Sequence, residues 1–399
     1  MSALAGLRVI ELAHIMAGPV CGRMLADLGA DVIKVEKLPD GDTSRSFLPP
    51  DVGGESAAFM MLNRNKRGIA VDLKTVEGQE IVRLLLRRAD VVIENYRAGA
   101  MERLGLGYES LRRDNPGLVF CEISGYGRTG PMAQHGGFDL IAQGYSGLMS
   151  ITGEGPGRPP VKCGPPITDV TAGIIACMGV LAALLHRDRT GQGQRVDTSL
   201  YEAGITQTYW QAAIALATGI SPGPMGSAHP LTAPYEAFQT ADGWITVGAS
   251  SQSTWVKLTQ VIGRPDLASD ARFLDNADRM RNRAALADIL GEILRHRPSA
   301  TWLERLAAAG VPAGPVLSVG DMLSHPQTIA RGMVTEVPHS RLGRVKTIGF
   351  PIALSETPAD VRRGAPMLGE HTREVLTELG YSEAQIVGLD ARGVIVLQK

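Results

Sequence analysis

Residues 7–36 read LRVIELAHIMAGPVCGRMLADLGADVIKVE. Two short aliphatic runs, 7–12 and 31–36, flank an apolar segment at 18–28 that is long enough for a helix and ends before Gly29. Runs of this kind are typical of buried strands, and a glycine directly after a helical segment is a common stop signal. The stretch therefore predicts a strand–helix–strand unit.

The same alternation continues through the first half of the chain. The spacing of Ile81, Leu84 and Leu85 predicts a helix over 77–89. Further strands are predicted at 68–73, 91–94, 118–124 and 195–199. Such alternation indicates a mostly parallel sheet with helices on both faces. We therefore expect an α/β fold whose large domain is a doubly wound, Rossmann-like sheet.

The character of the chain changes near Gly219, where an apolar helix predicted over 202–217 gives way to a Pro/Gly-rich linker. Residues 235–248 then alternate as a hairpin around Asp242-Gly243, which predicts a smaller α+β domain. Its helices are predicted at 279–295 and 300–309, and a late helix is predicted at 382–389. The predicted domains are a first part of the large domain at 1–200, a linker helix and connection at 201–225, an inserted small domain at 226–325, and a return to the large domain at 326–399.

The balance of charge argues against polyanionic partners. The 399 residues include 40 basic and 41 acidic side chains, for a formal net charge of -1. Nucleic-acid and anionic-membrane surfaces call for a basic footprint, so we expect neither as a partner and favour a small, locally anionic molecule. The sequence shows no secretory signal and no run close to about 18 apolar residues, which predicts a cytoplasmic protein.

Cysteine and histidine offer no metal site. The four cysteines, Cys21, Cys121, Cys163 and Cys177, are far apart and lack ligand spacing, and the eight histidines are dispersed. Neither pattern is typical of a disulfide framework or a zinc site, so we expect a reducing compartment and no metal.

One carboxylate stands at the junction of a Gly/Pro-rich loop and a long apolar segment, in GPPITDVTAG (164–173). The apolar segment, 174–187, is predicted to be a buried helix, whose first turn would present N–H groups beside Asp169 and keep the carboxylate ionised. Such a group could act as a nucleophile. Taken locally, Asp169 and Thr168 are also ordinary helix-capping residues, and the local sequence favours that interpretation.

Basic and polar residues recur at the ends of successive elements. Lys37, 63–67, Lys74, 95–97 and Arg103 could form a rim for several phosphates, with Glu36 on a ribose hydroxyl and Lys37 on a phosphate, if these ends converge. The alternative is ordinary surface charge. A G-x-G-x-x-G match at Gly125, Gly127 and Gly130 is followed by Pro131 and by no acidic strand end about 20 residues on, so we interpret it as a loop.

Several ordered motifs together resemble family III CoA-transferases, the group that includes formyl-CoA transferase and carnitine CoA-transferase. The matching segments are HIMAGP (14–19), LGADVIKVE (28–36), NKR (65–67), ENYR (94–97), SGYG with GP (124–127 and 130–131), GFD (137–139), Asp169 and PMLGEHT (366–372). The resemblance covers nearly the whole chain. It implies an interlocked homodimer and makes Asp169 the catalytic nucleophile, which forms an aspartyl anhydride and then an aspartyl-CoA thioester.

The resemblance also implies a CoA site. Matched residue by residue, Lys37, Lys74 and Arg103 correspond to phosphate contacts, and Asn95 and Tyr96 line the nucleotide or pantetheine. Met16 and Ala17 edge the thioester, and Arg97 and Gly125 fall in the matched CoA-binding segments. CoA thioesters are then substrates, and no permanently bound cofactor is implied.

Two departures from formyl-CoA transferase bear on the substrate. Met16 stands where that enzyme has Gln, and the chain reads Gly248-Ala249-Ser250-Ser251-Gln252 where it has a longer glycine loop. A less polar pocket argues against oxalate or formate and for a larger acid. We expect transfer of CoA from a donor such as succinyl-CoA to a dicarboxylate such as itaconate, mesaconate, glutarate or a malate-like acid, with monocarboxylates such as carnitine or a bile acid open.

Two alternatives remain. The family includes α-methylacyl-CoA racemases, which carry a His base where this chain has Phe138, a side chain that cannot accept a proton. His135, three residues earlier, is interpreted as a surface histidine. The other alternative is a CoA-thioester binding protein without turnover, in which Asp169 only caps its helix.

Overall fold

The structure is a computed structural model that describes residues 2–398. Its strands, numbered along the chain, are β1 (Arg8–Leu12), β2 (Asp31–Glu36), β3 (Asp51–Val52), β4 (Glu55–Ser56), β5 (Arg67–Val71), β6 (Val91–Glu94), β7 (Val119–Ser124), β8 (Arg195–Ser199), β9 (Tyr235–Gln239), β10 (Trp244–Gly248), β11 (Ala313–Pro315), β12 (Val334–His339), β13 (Gly343–Ile348) and β14 (Ile395–Val396).

The α-helices are α1 (Ala17–Asp27), α2 (Ala57–Asn63), α3 (Val76–Arg87), α4 (Ala100–Arg103), α5 (Tyr108–Asp114), α6 (Asp139–Tyr145), α7 (Leu148–Ile151), α8 (Ile167–Thr190), α9 (Leu200–Thr206), α10 (Tyr209–Thr218), α11 (Gln252–Val261), α12 (Asn276–Arg281), α13 (Arg283–Leu294), α14 (Ser299–Ala308), α15 (Val319–Ser324), α16 (Pro326–Ala330), α17 (Thr372–Leu379) and α18 (Glu383–Ala391). Short 3-10 turns occur at Thr43–Ser46 and Pro265–Ala268.

The chain packs as two compact units. The first contains the residues up to 146, 164–207 and those from 326 onward, and the second contains 147–163 and 208–325. The predicted inserted domain, 226–325, lies within the second unit, and the predicted domain limits stay a prediction.

A seven-stranded sheet organises the first unit, in the order β14-β5-β2-β1-β6-β7-β8. Every neighbouring pair is parallel except β14 with β5. The predicted mixed α/β fold with a mostly parallel sheet is therefore confirmed.

Both faces of the sheet are covered, which explains the unbroken apolar runs of its strands. Successive side chains of a strand point to opposite faces. In β1, Ile10 and Leu12 belong to a buried cluster with α3, α17 and α18, whereas Val9 belongs to a second cluster with α1 and α8. Each central strand therefore contributes to two cores.

The strand order places a switch point beside β1. The chain runs outward from β1 to β2 and β5 on one side and to β6, β7 and β8 on the other. In doubly wound sheets, ligands bind beyond the carboxyl ends of the strands at such a point. The loops that follow β1 and β6 are therefore the expected walls of a ligand site.

Helix α8 differs from the prediction at its start. It begins at Ile167 and not at residue 174, so Asp169 lies inside its first turn. Among the described residues it is also the one helix long and apolar enough to cross a membrane by length and composition, which corrects the expectation that no such run exists. Half of its most apolar window is buried, and its buried residues pack against α1 in the core of the first unit.

The second unit carries the predicted hairpin. Strands β9 and β10 pair antiparallel around the Asp242 turn, and β11 extends them into a three-stranded sheet. Helices α11, α13 and α14 cover this sheet through Trp255, Leu290 and Trp302.

Two helix predictions are corrected. The segment predicted as one helix at 202–217 forms two helices, α9 and α10, and the segment predicted at 279–295 divides at Asn282 into α12 and α13.

Candidate functional site

A cleft of about 810 Å³ opens at the carboxyl ends of the central strands in the first unit. Of the predicted site residues, it is lined by Met16, Ala17, Asn95, Tyr96, Arg97, Arg103, Gly125 and Asp169. Its wall also includes His14, Ile15, Phe47, Ser124, His135 and Phe138. The structure therefore brings most of the predicted site residues to one place.

Asp169 is half-buried in this cleft, in the first turn of α8. Burial and the neighbouring carboxylate of Asp139 raise the pKa of Asp169 to about 7, against the opposing effect of a hydrogen bond from the backbone N–H of Ala17. The expectation that the helix start keeps this group fully ionised is wrong, because desolvation exceeds the effect of the N–H donors. Near neutral pH, Asp169 exchanges between its acid and its anion.

The N-terminus of α8 is capped from outside the helix. Its N-cap residue is Pro166, which has no side-chain donor or acceptor, so the interpretation of Asp169 as a cap residue is also wrong. Instead the Asp139 carboxylate accepts the backbone N–H of Thr168 at 3.0 Å and its hydroxyl at 2.8 Å. Asp139 lies at the first position of α6, so α6 and α8 are joined beside Asp169.

Met16 and Ala17 lie at the junction of the β1 loop and α1, where Met16 is the N-cap residue. The loop is held by Asn95, which follows β6. The Asn95 side chain accepts the backbone N–H of His14 at 3.0 Å and donates to its carbonyl at 2.8 Å. Both ends of the Asn95 amide are therefore engaged by the protein, and Asn95 shapes the cleft wall.

Tyr96 is positioned by a buried carboxylate. Glu94, at the end of β6, accepts the backbone N–H of Tyr96 at 2.6 Å and pairs with Arg128. Burial raises the pKa of Glu94 to about 8, with a further contribution from Glu122 on the neighbouring strand and opposition from Arg128. Sequence reasoning missed Glu94 as a support of Tyr96, although it belongs to the quoted ENYR motif.

Two glycines, Gly125 and Gly137, allow two loops of the cleft wall to contact each other. A Cβ on Gly125 would lie 2.7 Å from the backbone nitrogen of Gly137, so the loop after β7 contacts the 130s loop through bare backbone. Any side chain at Gly125 would separate the two loops. Directly after Gly137, Phe138 is 71% exposed and lines the cleft. An aromatic side chain thus stands where a proton acceptor would be needed for racemisation.

The predicted phosphate contacts divide into two groups. Arg97 and Arg103 are exposed and line the cleft. Lys37 is exposed and lines a smaller recess of about 40 Å³ beyond β2, together with His14 and Tyr96. Lys74 is exposed after β5, outside the cleft lining. The roles of all four in binding CoA stay predictions.

The segment 63–67 does not belong to the rim. It leads into the amino end of β5, whereas the cleft lies at the carboxyl ends of the strands, and its long side chains are buried. Arg64 pairs with Asp27 at 2.6 Å, and Lys66 pairs with Glu11 at 2.7 Å. These cations are neutralised inside the protein and cannot meet a phosphate.

Glu36 is likewise occupied. Its carboxylate is 2% exposed and accepts two hydrogen bonds of 2.7 Å from the Arg45 guanidinium and one of 2.9 Å from the backbone N–H of Asp42. The suggestion that Glu36 meets a ribose hydroxyl is therefore wrong. Arg45 was not singled out from the sequence, since nothing local indicates its partner.

Between residues 2 and 398, no group of three or more His, Cys, Asp or Glu side chains is arranged to hold a metal ion. Cys21, Cys121 and Cys177 are buried thiols in the core between α1 and α8. The cleft thus presents a carboxylate, backbone N–H groups, arginines and apolar side chains, a set suited to an anionic ligand with an acyl group.

Comparison with known proteins gives one consistent result. The sequence model of CoA-transferase family III matches residues 4–372. Succinyl-CoA:glutarate CoA-transferase of Mus musculus is 38% identical over 99% of this chain and 91% of its own length. Succinyl-CoA:mesaconate CoA-transferase of Haloarcula hispanica is 40% identical over 95% of this chain and 97% of its own.

A solved structure agrees. The crystal structure of a CAIB/BAIF family protein from Brucella suis superposes with a TM-score of 0.84 at 41% identity, covering 95% of this chain and 99% of that one. The prediction from the ordered motifs is confirmed: the chain belongs to CoA-transferase family III, whose enzymes use CoA thioesters as substrates.

Proposed function

We propose that this protein transfers CoA from succinyl-CoA to a dicarboxylic acid, with Asp169 as the covalent nucleophile. The observation that carries the proposal is the position of Asp169, half-buried in the cleft and lining it together with Ala17 at the start of α1. A carboxylate that can ionise near neutral pH beside N–H donors is suited to acyl transfer.

The reaction needs only the two substrates and this carboxylate. An oxygen of Asp169 attacks the thioester carbonyl carbon, and the C–S bond breaks to release CoA thiolate. The thiolate attacks the Asp169 carbon of the mixed anhydride, which expels the donor acid and leaves an aspartyl-CoA thioester. The acceptor carboxylate then repeats the two steps in reverse, so charge balances at each stage and Asp169 is regenerated.

The cleft supports this sequence electrostatically. Negative charge develops on the tetrahedral intermediate, and fixed N–H donors stabilise such charge most in a site with little water. The Ala17 N–H is the donor that lowers the pKa of Asp169, and both residues line the cleft. The apolar side chains of Met16 and Phe47 line the same cleft.

A dicarboxylate acceptor is supported by the names of relatives and by the cleft cations. The two relatives described above use succinyl-CoA with glutarate or mesaconate, by their names. Arg97 and Arg103 on the cleft provide positive charge for the CoA phosphates and for a distal carboxylate. Itaconate and malate-like acids belong to the same chemical class.

One observation keeps the racemase alternative in the test. His135 is exposed and lines the same cleft as Asp169, although Phe138 occupies the position of the usual base. A displaced histidine base would exchange the α-proton of a 2-methylacyl-CoA for deuterium in heavy water, without moving CoA between acids. We expect no such exchange.

We also propose a homodimer, in a cytoplasmic setting. On α8, Ile174, Met178 and Leu185 are 47%, 64% and 54% exposed, and their spacing puts them on one face of the helix. Helix α10 buries none of its residues, and its Leu216 is 89% exposed. Apolar faces of this kind are typical of subunit interfaces. Light scattering after gel filtration should give twice the chain mass of 42.4 kDa.

The deciding experiment traps the covalent intermediate. The protein is incubated with succinyl-CoA and treated with borohydride, which reduces an aspartyl thioester to homoserine, and the peptide containing Asp169 is analysed by mass spectrometry. We expect reduction at Asp169, and none in Asp169→Asn, which cannot form the thioester. An unmodified wild-type peptide with retained CoA binding would favour the non-catalytic alternative.

The acceptor is identified by a panel of acids. Glutarate, mesaconate, itaconate and malate are compared with carnitine, a bile acid, formate and oxalate, using succinyl-CoA as donor. Turnover confined to carnitine, the bile acid or formate would overturn the dicarboxylate assignment, and turnover confined to oxalate would overturn the expectation of a larger acid. Either result would leave the Asp169 chemistry intact.

A further inference from the structure

A buried group of charges supports the loop after β1, which lines the cleft, and the proposed reaction does not use this group. Lys34, on β2, places its ammonium 2.9 Å from Glu11 and 2.8 Å from Asp42. The side chains of all three are at most 1% exposed. Lys66 contacts the other oxygen of Glu11 at 2.7 Å. Buried charges of this kind cost free energy to desolvate, so their position calls for a role.

The group holds the backbone of the β1 loop. Lys34 donates to the carbonyl of Ala13 at 2.8 Å, and the Asp42 carboxylate accepts the backbone N–H of Ile15 at 3.0 and 3.2 Å. Between these two, His14 is held by Asn95. Three consecutive residues, Ala13, His14 and Ile15, therefore have backbone groups fixed by the side chains of Lys34, Asn95 and Asp42.

The contact with Asp42 occurs at a strained residue. Ile15 has φ +64°, in the left-handed region that a β-branched side chain rarely adopts. Such a conformation persists only where surrounding contacts hold it. The Asp42 carboxylate also accepts the N–H and hydroxyl of Ser44, which anchors it in the 3-10 turn after β2.

Asp42 is an anion in this setting. Burial alone would raise its pKa, but the Lys34 ammonium and the N–H groups of Ser44 and Ile15 hold the pKa well below its usual range. A charged acceptor makes stronger hydrogen bonds than a neutral one. The Ile15 N–H is thus bound by a fixed negative charge.

Two residues beyond Ile15, Ala17 lines the same cleft as Asp169, and α8 packs closely on it, since a Cβ on Gly173 would lie 2.6 Å from the Ala17 carbonyl oxygen. The Ala17 N–H is also the donor that lowers the pKa of Asp169. The direction of the loop at Ile15 sets where Met16 and Ala17 begin α1, and hence where that N–H points. We propose that Asp42 is a positioning residue: with Lys34 it holds Ile15 in its left-handed conformation and so aims the Ala17 N–H at the Asp169 carboxylate. This inference rests on the proposed function only for its kinetic consequence.

The test uses Asp42→Ala and the milder Asp42→Asn, which keeps an oxygen for the Ile15 N–H and loses the charge. The matched control is Asp27→Asn, because Asp27 is an equally buried carboxylate, paired with Arg64 at 2.6 Å away from the cleft. Hydrogen exchange of the peptides covering 13–17 is measured first, since it needs no activity. We expect exchange about tenfold faster in Asp42→Ala, less acceleration in Asp42→Asn, and none in Asp27→Asn.

The kinetic readout is single-turnover formation of the Asp169-CoA thioester as a function of pH. Misplacement of a catalytic group by about 1 Å costs up to about 100-fold, so we expect a loss of about 10- to 100-fold in the Asp42 variants. Loss of the Ala17 hydrogen bond should also move the pH midpoint upward by about half a unit, which a general loss of stability would not do.

The outcomes separate the two proposals. Unchanged exchange at 13–17 in Asp42→Asn, or the same exchange and midpoint changes in Asp27→Asn, would overturn the positioning role. A wild-type protein that forms no thioester would overturn the proposed function alone, and the exchange measurement would still decide the role of Asp42.

Discussion

The carboxylate of Asp139 accepts both the backbone N–H and the hydroxyl of Thr168, at 3.0 and 2.8 Å, and so caps the helix that carries Asp169. The capping carboxylate and the proposed nucleophile are thus neighbours with different partners. Asp139 satisfies the N–H of Thr168, whereas Asp169 receives the N–H of Ala17. Their mutual repulsion is one cause of the raised pKa of Asp169.

Replacing Asp139 with Asn should lower the pKa of Asp169. The amide oxygen can still accept the bonds from Thr168, but the negative charge beside Asp169 is removed. We expect the pH midpoint of thioester formation to fall from about 7 by roughly half to one unit. Single-turnover rates between pH 5 and 9 measure this shift. An unchanged midpoint would show that burial alone sets the pKa.

Asp169→Asn should stabilise the protein in a pH-dependent way. The pKa of Asp169 is about 7 in the folded protein, against the ordinary aspartate value of 3.8 that applies to the unfolded chain, so the folded state binds more protons between these values. Its stability therefore falls as pH rises from about 4 to 7, and the loss is complete above 7. The Asn variant lacks this loss. We expect its Tm to exceed the wild-type Tm by roughly a few degrees at pH 8 and to match the wild-type Tm at pH 4. A Tm difference independent of pH would contradict the assignment.

The start of α8 shows why a candidate site residue can be proposed from the sequence while its geometry cannot. The motifs single out Asp169, but local propensity places the helix start near residue 174. That position follows Thr171, which is β-branched, and Gly173. In the structure the helix begins at Ile167, because Asp139, some thirty residues earlier, caps Thr168. Partners so distant in sequence leave no local signal.

Burial of charge was unpredictable for the same reason. Arg64 and Lys66 belong to a basic run that looks like solvent-exposed phosphate ligands, yet each pairs with a carboxylate from the first strand–helix unit. By contrast, β1, α1 and β2 follow from residues 7–36 alone, because local pattern and tertiary packing agree there. The antiparallel pair β12–β13 was missed, since Pro338 within β12 argues against a strand.

Gly173→Ala should reduce activity through packing. Gly173 lies one turn after Asp169 on the same face of α8, and a Cβ there would lie 2.6 Å from the carbonyl oxygen of Ala17. The helix must then move away from the loop that supplies the Ala17 N–H. We expect thioester formation to slow by about tenfold or more.

The matched control for that substitution is Gly291→Ala in α13, where a Cβ would meet nothing within 4 Å. Since alanine favours a helix over glycine by about 1 kcal/mol, this variant should be slightly more stable and fully active. Equal activity of the two variants would show that the approach of α8 to Ala17 does not matter.

Lys34→Met should destabilise the fold strongly. It leaves Asp42 without its buried cation and Glu11 with Lys66 alone. Removing one partner of a buried pair typically costs about 3 to 5 kcal/mol, because the remaining charge is uncompensated. Urea unfolding measures this loss. Arg87→Met is the exposed counterpart, since its contact with Asp114 is half in solvent, and it should cost about 1 kcal/mol or less.

Arg103→Met and Lys74→Met should differ in their effect on CoA binding and so show which of the two cations contacts a CoA phosphate. Arg103 lines the cleft, whereas Lys74 lies exposed after β5, outside the cleft lining, although both are predicted phosphate contacts. A charge-assisted hydrogen bond to phosphate contributes about 1 to 2 kcal/mol, so we expect Arg103→Met to raise the Kd of CoA by about 5- to 30-fold. The rise should diminish at high salt, because screening weakens the same contact in the wild type.

For Lys74→Met we expect less than about a threefold change in the Kd of CoA at any salt concentration. Titration calorimetry in 50 mM and 500 mM salt, roughly a threefold change in screening length, measures both. If Lys74→Met raised the Kd of CoA as much as Arg103→Met, the expected difference between the two positions would be wrong. The nucleotide would then extend past β2 toward β5, and the recess beside Lys37 would be part of the phosphate site.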